Sequence, residues 1–589
     1  MTKGEYRPEI DGLRALAVLA VLVFHLDPER LPGGFVGVDV FFVISGYLIT
    51  SIIQRQIEQH RFSLLGFYQR RIARLFPALL AMAVVTMIAA KLLYLKWDYA
   101  NAGGSFSAAL LSIANFHLLK QGDYFELNVD AQPLLHCWSL AVEEQFYALF
   151  PLLLWYVLKA PRNWRTRILF ALATLSFVSG LALTYSHKEW AFYMFPTRAW
   201  ELLAGGILAM RQRSAVLPTN NALFWLGVFC IGLSFIALRD GVAFPGWRAL
   251  LPVIGATLIL QHGASETGIR VLGSHPMTAI GRGSYSLYLW HWPIFTLVDY
   301  TLIFESLGLR TSLKLGLTAI ASLASYLLIE RPCRKALNRA QARRWAYVFL
   351  FGIMVSLGPL GEVIRRAHYI DASDGRQGRR IFDQPASKGT VVLMGDSHAT
   401  MYGAIMRTIA EEMNLRLVVL SRAGKNTLAP ANDGKPTELW LEGLATIRSE
   451  RPDYVVIACQ WKSKLQGSSA RLEATLATLK PHVGSIILCA MPPELPSSGH
   501  RSAIRDGARA PFLEEIEAKA KRRFYNSLVE SAAGEGVQVF DAASHFLTQA
   551  GAVMVFDDAR KRMFYDKAHV SALGAEKLKT GFKAMMLPN

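Results

Sequence analysis

Arg14 and His25 stand eleven positions apart in an otherwise apolar stretch, residues 11–25 (DGLRALAVLAVLVFH). On an α-helix, eleven residues at about 100° each return to within about 20° of one face and climb roughly 16 Å. A guanidinium and an imidazole therefore share a stripe, with Leu, Ala and Val around them. In hydrocarbon such groups are costly unless they meet a cavity or a partner, which makes both candidate site residues. The plainer reading has Arg14 snorkelling to an interface and His25 resting among headgroups; the shared stripe argues against it. A second pair lies far along the chain. Gly395-Asp396-Ser397-His398 follows the apolar run 391–393, and Asp566-Lys567-Ala568-His569 comes near the end. A serine at a strand-to-helix turn presents its hydroxyl beside free backbone N–H groups that can hold an oxyanion. A carboxylate three residues before an imidazole can orient its Nδ1–H and leave Nε2 facing the serine. Each half alone is common. Their pairing, at the first strand and at the last segment of one domain, is what points to nucleophilic acyl chemistry.

These residues must be held by two different kinds of structure. The chain has 589 residues, 52% hydrophobic, with mean hydropathy +0.26, too apolar for an ordinary soluble protein. Runs of membrane-spanning length crowd the first 363 positions and then stop. About eleven spans are expected, at 13–27, 35–54, 76–95, 138–158, 167–185, 192–210, 222–238, 247–260, 284–304, 312–329 and 345–364. The run 105–119, broken by Asn115 and His117, reads as interfacial or re-entrant. No small-residue cleavage site follows the first run, so it reads as a retained span.

The formal charge of +18 does not require nucleic acid. Arginines and lysines gather in alternate loops, among them Arg55, Arg61, Arg70, Arg71 and Arg74, then Lys159, Arg162 and Arg165, and last Arg331 to Arg344. The positive-inside rule explains this bias and places the N-terminus in the cytoplasm. An odd number of spans then puts the C-terminal domain outside, in the periplasm or beyond. Five cysteines (Cys137, Cys230, Cys333, Cys459 and Cys489) show neither metal spacing nor a disulfide framework.

Residues 365–389 read as a polar linker. From residue 390, short apolar runs at 391–394, 417–420, 454–459, 485–489 and 537–540 alternate with helical stretches at 401–413 and 514–533. Such alternation predicts a three-layer α/β domain with a mostly parallel sheet. The expected domains are thus 1–335 (membrane), 336–364 (an added linking helix), 365–389 (linker) and 390–589 (soluble).

The Gly-Asp-Ser-His turn after the first strand, with the terminal Asp-x-x-His, resembles the SGNH hydrolase family. The resemblance implies Ser397 as nucleophile, His569 as base and Asp566 as its orienting partner. It implies oxyanion donors at Ser397 and Gly424, the latter in Ser421-Arg422-Ala423-Gly424-Lys425. The family's asparagine block is missing; Ala458-Cys459-Gln460-Trp461 stands there, and Gln460 is the candidate third donor.

The first 335 residues carry a second set of motifs. Asp11-Gly12-Leu13-Arg14 with His25, Gly37-Val38-Asp39-Val40-Phe41-Phe42, Ser45-Gly46, Arg70-Arg71 with Arg74, and His136-Cys137-Trp138-Ser139-Leu140 with Glu143-Glu144 form its first part. Tyr285 through His291 and Glu330-Arg331-Pro332 complete it. Together these resemble the membrane acyltransferase family 3, and with an outer SGNH domain, the bacterial O-acetyltransferases of surface glycans such as O-antigen. That resemblance implies an inner-membrane enzyme that consumes acetyl-coenzyme A as donor, holds no permanent cofactor or metal, and acylates a lipid-linked or polymeric glycan.

The residues agree in outline. Arg14, Arg71 and Arg74 suit a pyrophosphate by bidentate contacts, although Arg70, Arg71 and Arg74 could be ordinary inner-face anchors. A pantetheine arm along the first helix would bring its thioester toward His25, which can act as general base or as nucleophile. Asp11, Asp39, Ser45, Glu143, Glu144 and Arg198 are the candidate supporting residues. Glu143 and Glu144 could pair with Arg198 or cap their span, and Glu201 could be Arg198's partner one turn on. Tyr288, Trp290 and Trp292 read as an interfacial aromatic belt, with His291 among them undecided and His117 and His136 unassigned. Two rivals remain: an outer esterase that trims acetyl groups, and a transporter whose buried charges form a path. Transporters commonly carry internal repeats, and none is visible.

Overall fold

The structure, a computed structural model, describes residues 6–94, 96–119, 132–214, 219–239, 244–302, 306–339, 343–368, 378–422, 424–430, 434–495, 512–558, 563–564 and 568–587. The chain divides into two compact units, Met1–Tyr369 and Ile370–Asn589.

Among the described residues the first unit is entirely helical. Five of its helical segments are long and apolar enough to cross a membrane: Gly34–Glu58, Leu64–Leu93, Arg162–Ser186, Leu307–Leu337 and Arg344–Arg365. The chain is accordingly a membrane protein. The run read as interfacial or re-entrant is helical over most of its length, in Lys96–Leu110 and Ala114–Leu119. Six helices carry the candidate residues: α1 (Pro8–Leu26), α2 (Gly37–Glu58), α3 (Leu64–Leu93), α4 (Cys137–Lys159), α5 (Phe195–Ser214) and α6 (Ser284–Thr301). Pro8 opens α1 at a position where its missing N–H costs nothing.

Helices α2 and α5 touch backbone to backbone. A Cβ on Gly46 would stand 1.7 Å from the Leu202 carbonyl oxygen, and one on Gly205 would stand 2.0 Å from that of Val43. Only glycine allows this approach. Asp39 on α2 and Arg198 on α5 each lie two helical turns before those glycines, so the close crossing brings them together.

The second unit is a six-stranded sheet: β1 (Gly378–Phe382), β2 (Thr390–Gly395), β3 (Arg416–Ser421), β4 (Tyr454–Ala458), β5 (Ser485–Cys489) and β6 (Val537–Phe540). The spatial order is β1-β3-β2-β4-β5-β6. β1 pairs antiparallel with β3, and every other pairing is parallel. The apolar runs of β2 to β5 are buried almost throughout, as a sheet covered on both faces requires. β1 lies inside the stretch read as a linker. The chain order reverses between β2 and β4, and in open α/β sheets ligands bind beyond the strand ends at such a switch point. Helix α7 (Ser397–Met413) starts there.

Candidate active sites in the two units

Arg14 of α1, Arg71 and Arg74 of α3, Ser45 of α2, Glu143 and Tyr147 of α4 and Tyr285 of α6 line one cleft, with about 710 Å³ of unoccupied space. The three arginines therefore meet, although they come from two helices. Glu143 accepts from Ser45 Oγ at 2.8 Å and from Tyr147 OH at 3.1 Å. The Arg71 guanidinium lies 4.8 Å above the Tyr147 ring. Asp11 pairs with Arg14 at 3.6 Å and with Arg282 at 3.7 Å, holding the Arg14 end of the stripe. Three guanidiniums gathered in one cleft suit a polyanionic ligand.

A smaller cavity adjoins this cleft. Val38 and Tyr288 line both, and His25, Asp39, His136 and Arg198 line the inner one. His25 Nδ1 lies 3.0 Å from His291 Nε2, and His291 Nδ1 lies 2.6 Å from the Tyr288 carbonyl oxygen. A carbonyl only accepts, so the network assigns the hydrogen to Nδ1 of His291. In the neutral ring Nε2 must then accept from His25 Nδ1–H. This leaves the lone pair of His25 Nε2 for chemistry.

Arg198 is fully buried and pairs with Asp39 at 2.9 Å and with Glu201 at 2.8 Å. Pairing with Glu201 agrees with the sequence; pairing with Glu143 or Glu144 does not occur. Glu143 is bound to Ser45 and Tyr147, and Glu144 lines an adjoining, mostly apolar cavity that shares Arg71, Glu143 and Tyr147 with the cleft. Tyr288 and Trp292 are not a surface belt. Both are buried, Tyr288 OH lies 2.7 Å from Ser139 Oγ, and the Trp292 ring sits edge-on 4.6 Å from that of His25. His291 and His136 were the functional candidates the sequence left open. Their signal was an ionisable group within a span, which gives no partner by itself.

In the second unit, Ser397 opens α7 at the end of β2, and His569 Nε2 lies 2.8 Å from its Oγ. Two residues 172 positions apart thus form the nucleophile–base contact that acyl transfer needs. Asp566 lies outside the described residues. Gly424 has φ of +71°, a conformation that suits glycine. Asp396 caps α7 by accepting from the His398 N–H at 3.0 Å. It also accepts from the Gln460 N–H at 3.1 Å. With its backbone N–H bound there, Gln460, the candidate third donor, has its side-chain amide to offer an oxyanion. Lys464, buried and unforeseen, donates to the Gly424 carbonyl at 3.1 Å and lies 3.4 Å from the Asp396 carboxylate. It ties the Ser397, Gly424 and Gln460 loops to one another. Beneath them, burial and the Asp396 charge push the Cys459 thiol up to about 12, so it stays a neutral core residue.

Known proteins place these observations. An acyltransferase domain matches residues 7–359, and the SGNH domain fused to such acyltransferases matches 366–584. The peptidoglycan O-acetyltransferase OatA of Listeria monocytogenes is 34% identical over 354 residues, 56% of each chain. The O-acetyltransferase OatA of Staphylococcus aureus is 33% identical over 355 residues, 57% of this chain and 58% of that one. The chain thus spans little more than half the length of these two relatives. A putative membrane-bound transacylase, BcsY of Komagataeibacter xylinus, is 34% identical over 57% of this chain and 84% of its own. Among solved structures, the periplasmic domain of a Salmonella Paratyphi A lipopolysaccharide acetyltransferase matches at 15% identity with a TM-score of 0.28, covering 34% of this chain and 85% of that one. With more than half of its length matched by the acyltransferase domain, this chain belongs to the membrane acyltransferase family 3, in the form that carries a fused SGNH domain.

Proposed function

We propose that the protein moves an acetyl group from cytoplasmic acetyl-coenzyme A, through its membrane unit, to hydroxyls of a cell-surface polysaccharide. The arginines of the cleft hold the pyrophosphate, and the pantetheine arm carries the thioester past Val38 and Tyr288 to His25. His25 Nε2 attacks the carbonyl, and the acyl group is passed outward. Ser397 takes it as a serine ester while His569 accepts the hydroxyl proton. A sugar hydroxyl then attacks that ester, with His569 removing its proton and Ser397 leaving reprotonated. Asp566 would orient His569, and the backbone N–H groups of Ser397 and Gly424 would receive the oxyanion.

The observation that carries this reading is the arginine-lined cleft adjoining the cavity in which His25 keeps a free Nε2. None of the residues lining that inner cavity offers a free hydroxyl or thiol; Tyr288 OH is bound to Ser139. The imidazole is therefore the better acyl acceptor there. The O-acetyltransferase names of the relatives support the class of product, and the charge bias of the loops supports a cytoplasmic donor side.

The test is surface-glycan acetylation in cells carrying His25→Ala or Ser397→Ala. Loss of acetylation in both is expected. Retained acetylation with His25→Ala would remove the membrane half of the relay. A more heavily acetylated glycan with Ser397→Ala would make the outer unit an esterase.

A further inference from the structure

The inner cavity holds a cation that the relay above does not use. Arg198 lines the same cavity as His25 and is 1% exposed. Its Nη2 meets Asp39 at 2.9 Å and its Nε approaches Glu201 at 2.8 Å, but its Nη1 has no acceptor in the protein. The rings of Phe42, Phe192 and Phe244 stand 5.5 to 5.7 Å from the guanidinium carbon, so water is kept away. A buried N–H without a partner costs about 1–3 kcal/mol, and such a donor persists where a ligand supplies the missing acceptor. Asp39 and Glu201 both face the guanidinium, at 2.9 and 2.8 Å.

We infer that Arg198 is a catalytic residue of the membrane unit: Nη1–H donates to the thioester carbonyl oxygen of a short acyl group seated against His25. The inference rests on the proposed thioester chemistry at His25 and adds to it the group that receives the negative charge. As the His25 Nε2 lone pair forms the new C–N bond, the carbonyl π pair moves onto oxygen, facing Arg198. Its return expels coenzyme A thiolate with the C–S bonding pair. The acylated ring then loses its Nδ1 proton through His291 Nε2, and that proton ends on sulfur, leaving a neutral acyl-imidazole and free thiol. An aimed donor in a water-free cavity is worth far more than one in water. The same cavity sets the acyl length. Val21, Phe35, Val38, Trp138, Phe192 and Phe244 line it, so a longer acyl chain would run against an apolar wall.

The experiment follows free thiol release from acetyl-coenzyme A by the purified full-length protein in detergent, alongside its affinity for coenzyme A. Arg198→Lys keeps a positive charge between Asp39 and Glu201 but loses the second arm of the guanidinium. Thiol release should fall about 100- to 1000-fold, with coenzyme A affinity unchanged. Unchanged release, or release that falls only in step with coenzyme A affinity, overturns the assignment. Val38→Ala leaves the charged group alone and widens the cavity; it should raise butyryl- relative to acetyl-coenzyme A turnover by about tenfold or more. An unaltered ratio overturns the acyl-length role. His25→Ala separates the two levels. If it releases thiol normally, the thioester reading itself falls; if it is inactive while Arg198→Lys is normal, only Arg198 loses its role.

Discussion

Lys464 Nζ donates to the carbonyl oxygen of Gly424 at 3.1 Å. The bond fixes the peptide of the glycine loop from within the core, where Lys464 is 4% exposed. A buried ammonium is costly unless paired, and Asp396 at 3.4 Å supplies the charge. Because Asp396 also caps α7 at the nucleophile, one ion pair couples the Ser397 turn to the Gly424 turn. Lys464→Met should therefore lower acyl transfer from p-nitrophenyl acetate by about 10- to 100-fold, the value of one charged hydrogen bond, mainly through kcat. A loss of thermal stability alone, with normal kcat in the folded fraction, would show that Lys464 acts only as a buried strut.

His291 is the positioning partner of His25. With Nε2 at 3.0 Å from His25 Nδ1, it fixes which nitrogen of His25 bears the hydrogen. His291→Phe removes the acceptor and lets the His25 tautomer invert, turning an N–H toward the cavity. Thiol release from acetyl-coenzyme A should drop by about 100-fold or more. His291→Gln offers an amide oxygen and should recover part of the rate. Equal loss in both variants would mean that ring packing, rather than the acceptor, is what His291 provides.

What could be read in advance follows from what each signal depends on. The strands from β2 to β5 showed in the sequence because buried parallel strands are continuous apolar runs, while β6, Val-Gln-Val-Phe, showed as a shorter run broken by Gln538. β1, Gly-Arg-Arg-Ile-Phe, sits at the sheet edge with alternating exposure, and so gives no such run. The Arg198–Glu201 pair was visible as neighbours one turn apart. Asp39, 159 positions from Arg198, becomes their partner only through the glycine crossing of α2 and α5. Tyr288 and Trp292 misled because an aromatic belt and a buried aromatic wall have the same composition; burial against His25 and Ser139 distinguishes them. The Ser397–His569 contact was legible since both ends carry short motifs. Lys464 was not, because nothing in Lys-Ser-Lys says which ammonium turns inward.

The cysteines under the serine site give a pH dependence with a definite sign. Burial raises Cys459 from an ordinary 9.0 to about 12, and burial raises Cys489 as well. A thiol whose folded pKa exceeds its unfolded one contributes stability fully below about 9, and that contribution is lost as pH climbs toward 12. The second unit should therefore keep its urea midpoint from pH 7 to 8.5 and lose stability progressively above pH 9. Iodoacetamide at pH 8.5 should leave Cys459 and Cys489 unlabelled until urea unfolds the sheet. Rapid labelling of either in native protein would contradict their burial.

The approach of α2 and α5 predicts a sharp contrast between two glycines. At Gly46 a methyl group would meet the Leu202 carbonyl oxygen at 1.7 Å, an atom held in the α5 backbone. Gly46→Ala must push the helices apart, at a cost of about 1–3 kcal/mol, and the shift carries Asp39 away from Arg198. Gly316, in the helix Leu307–Ala324, would place a methyl group with nothing within 4 Å. Gly316→Ala should instead stabilise by about 0.5–1 kcal/mol, because alanine loses less backbone entropy in a helix. Thermal unfolding of the full chain in detergent tests both, and thiol release tests the second consequence. Gly46→Ala should lower release even among molecules that remain folded, while Gly316→Ala leaves it unchanged. Normal release from a folded Gly46→Ala protein would mean that the helix crossing does not position the buried charges.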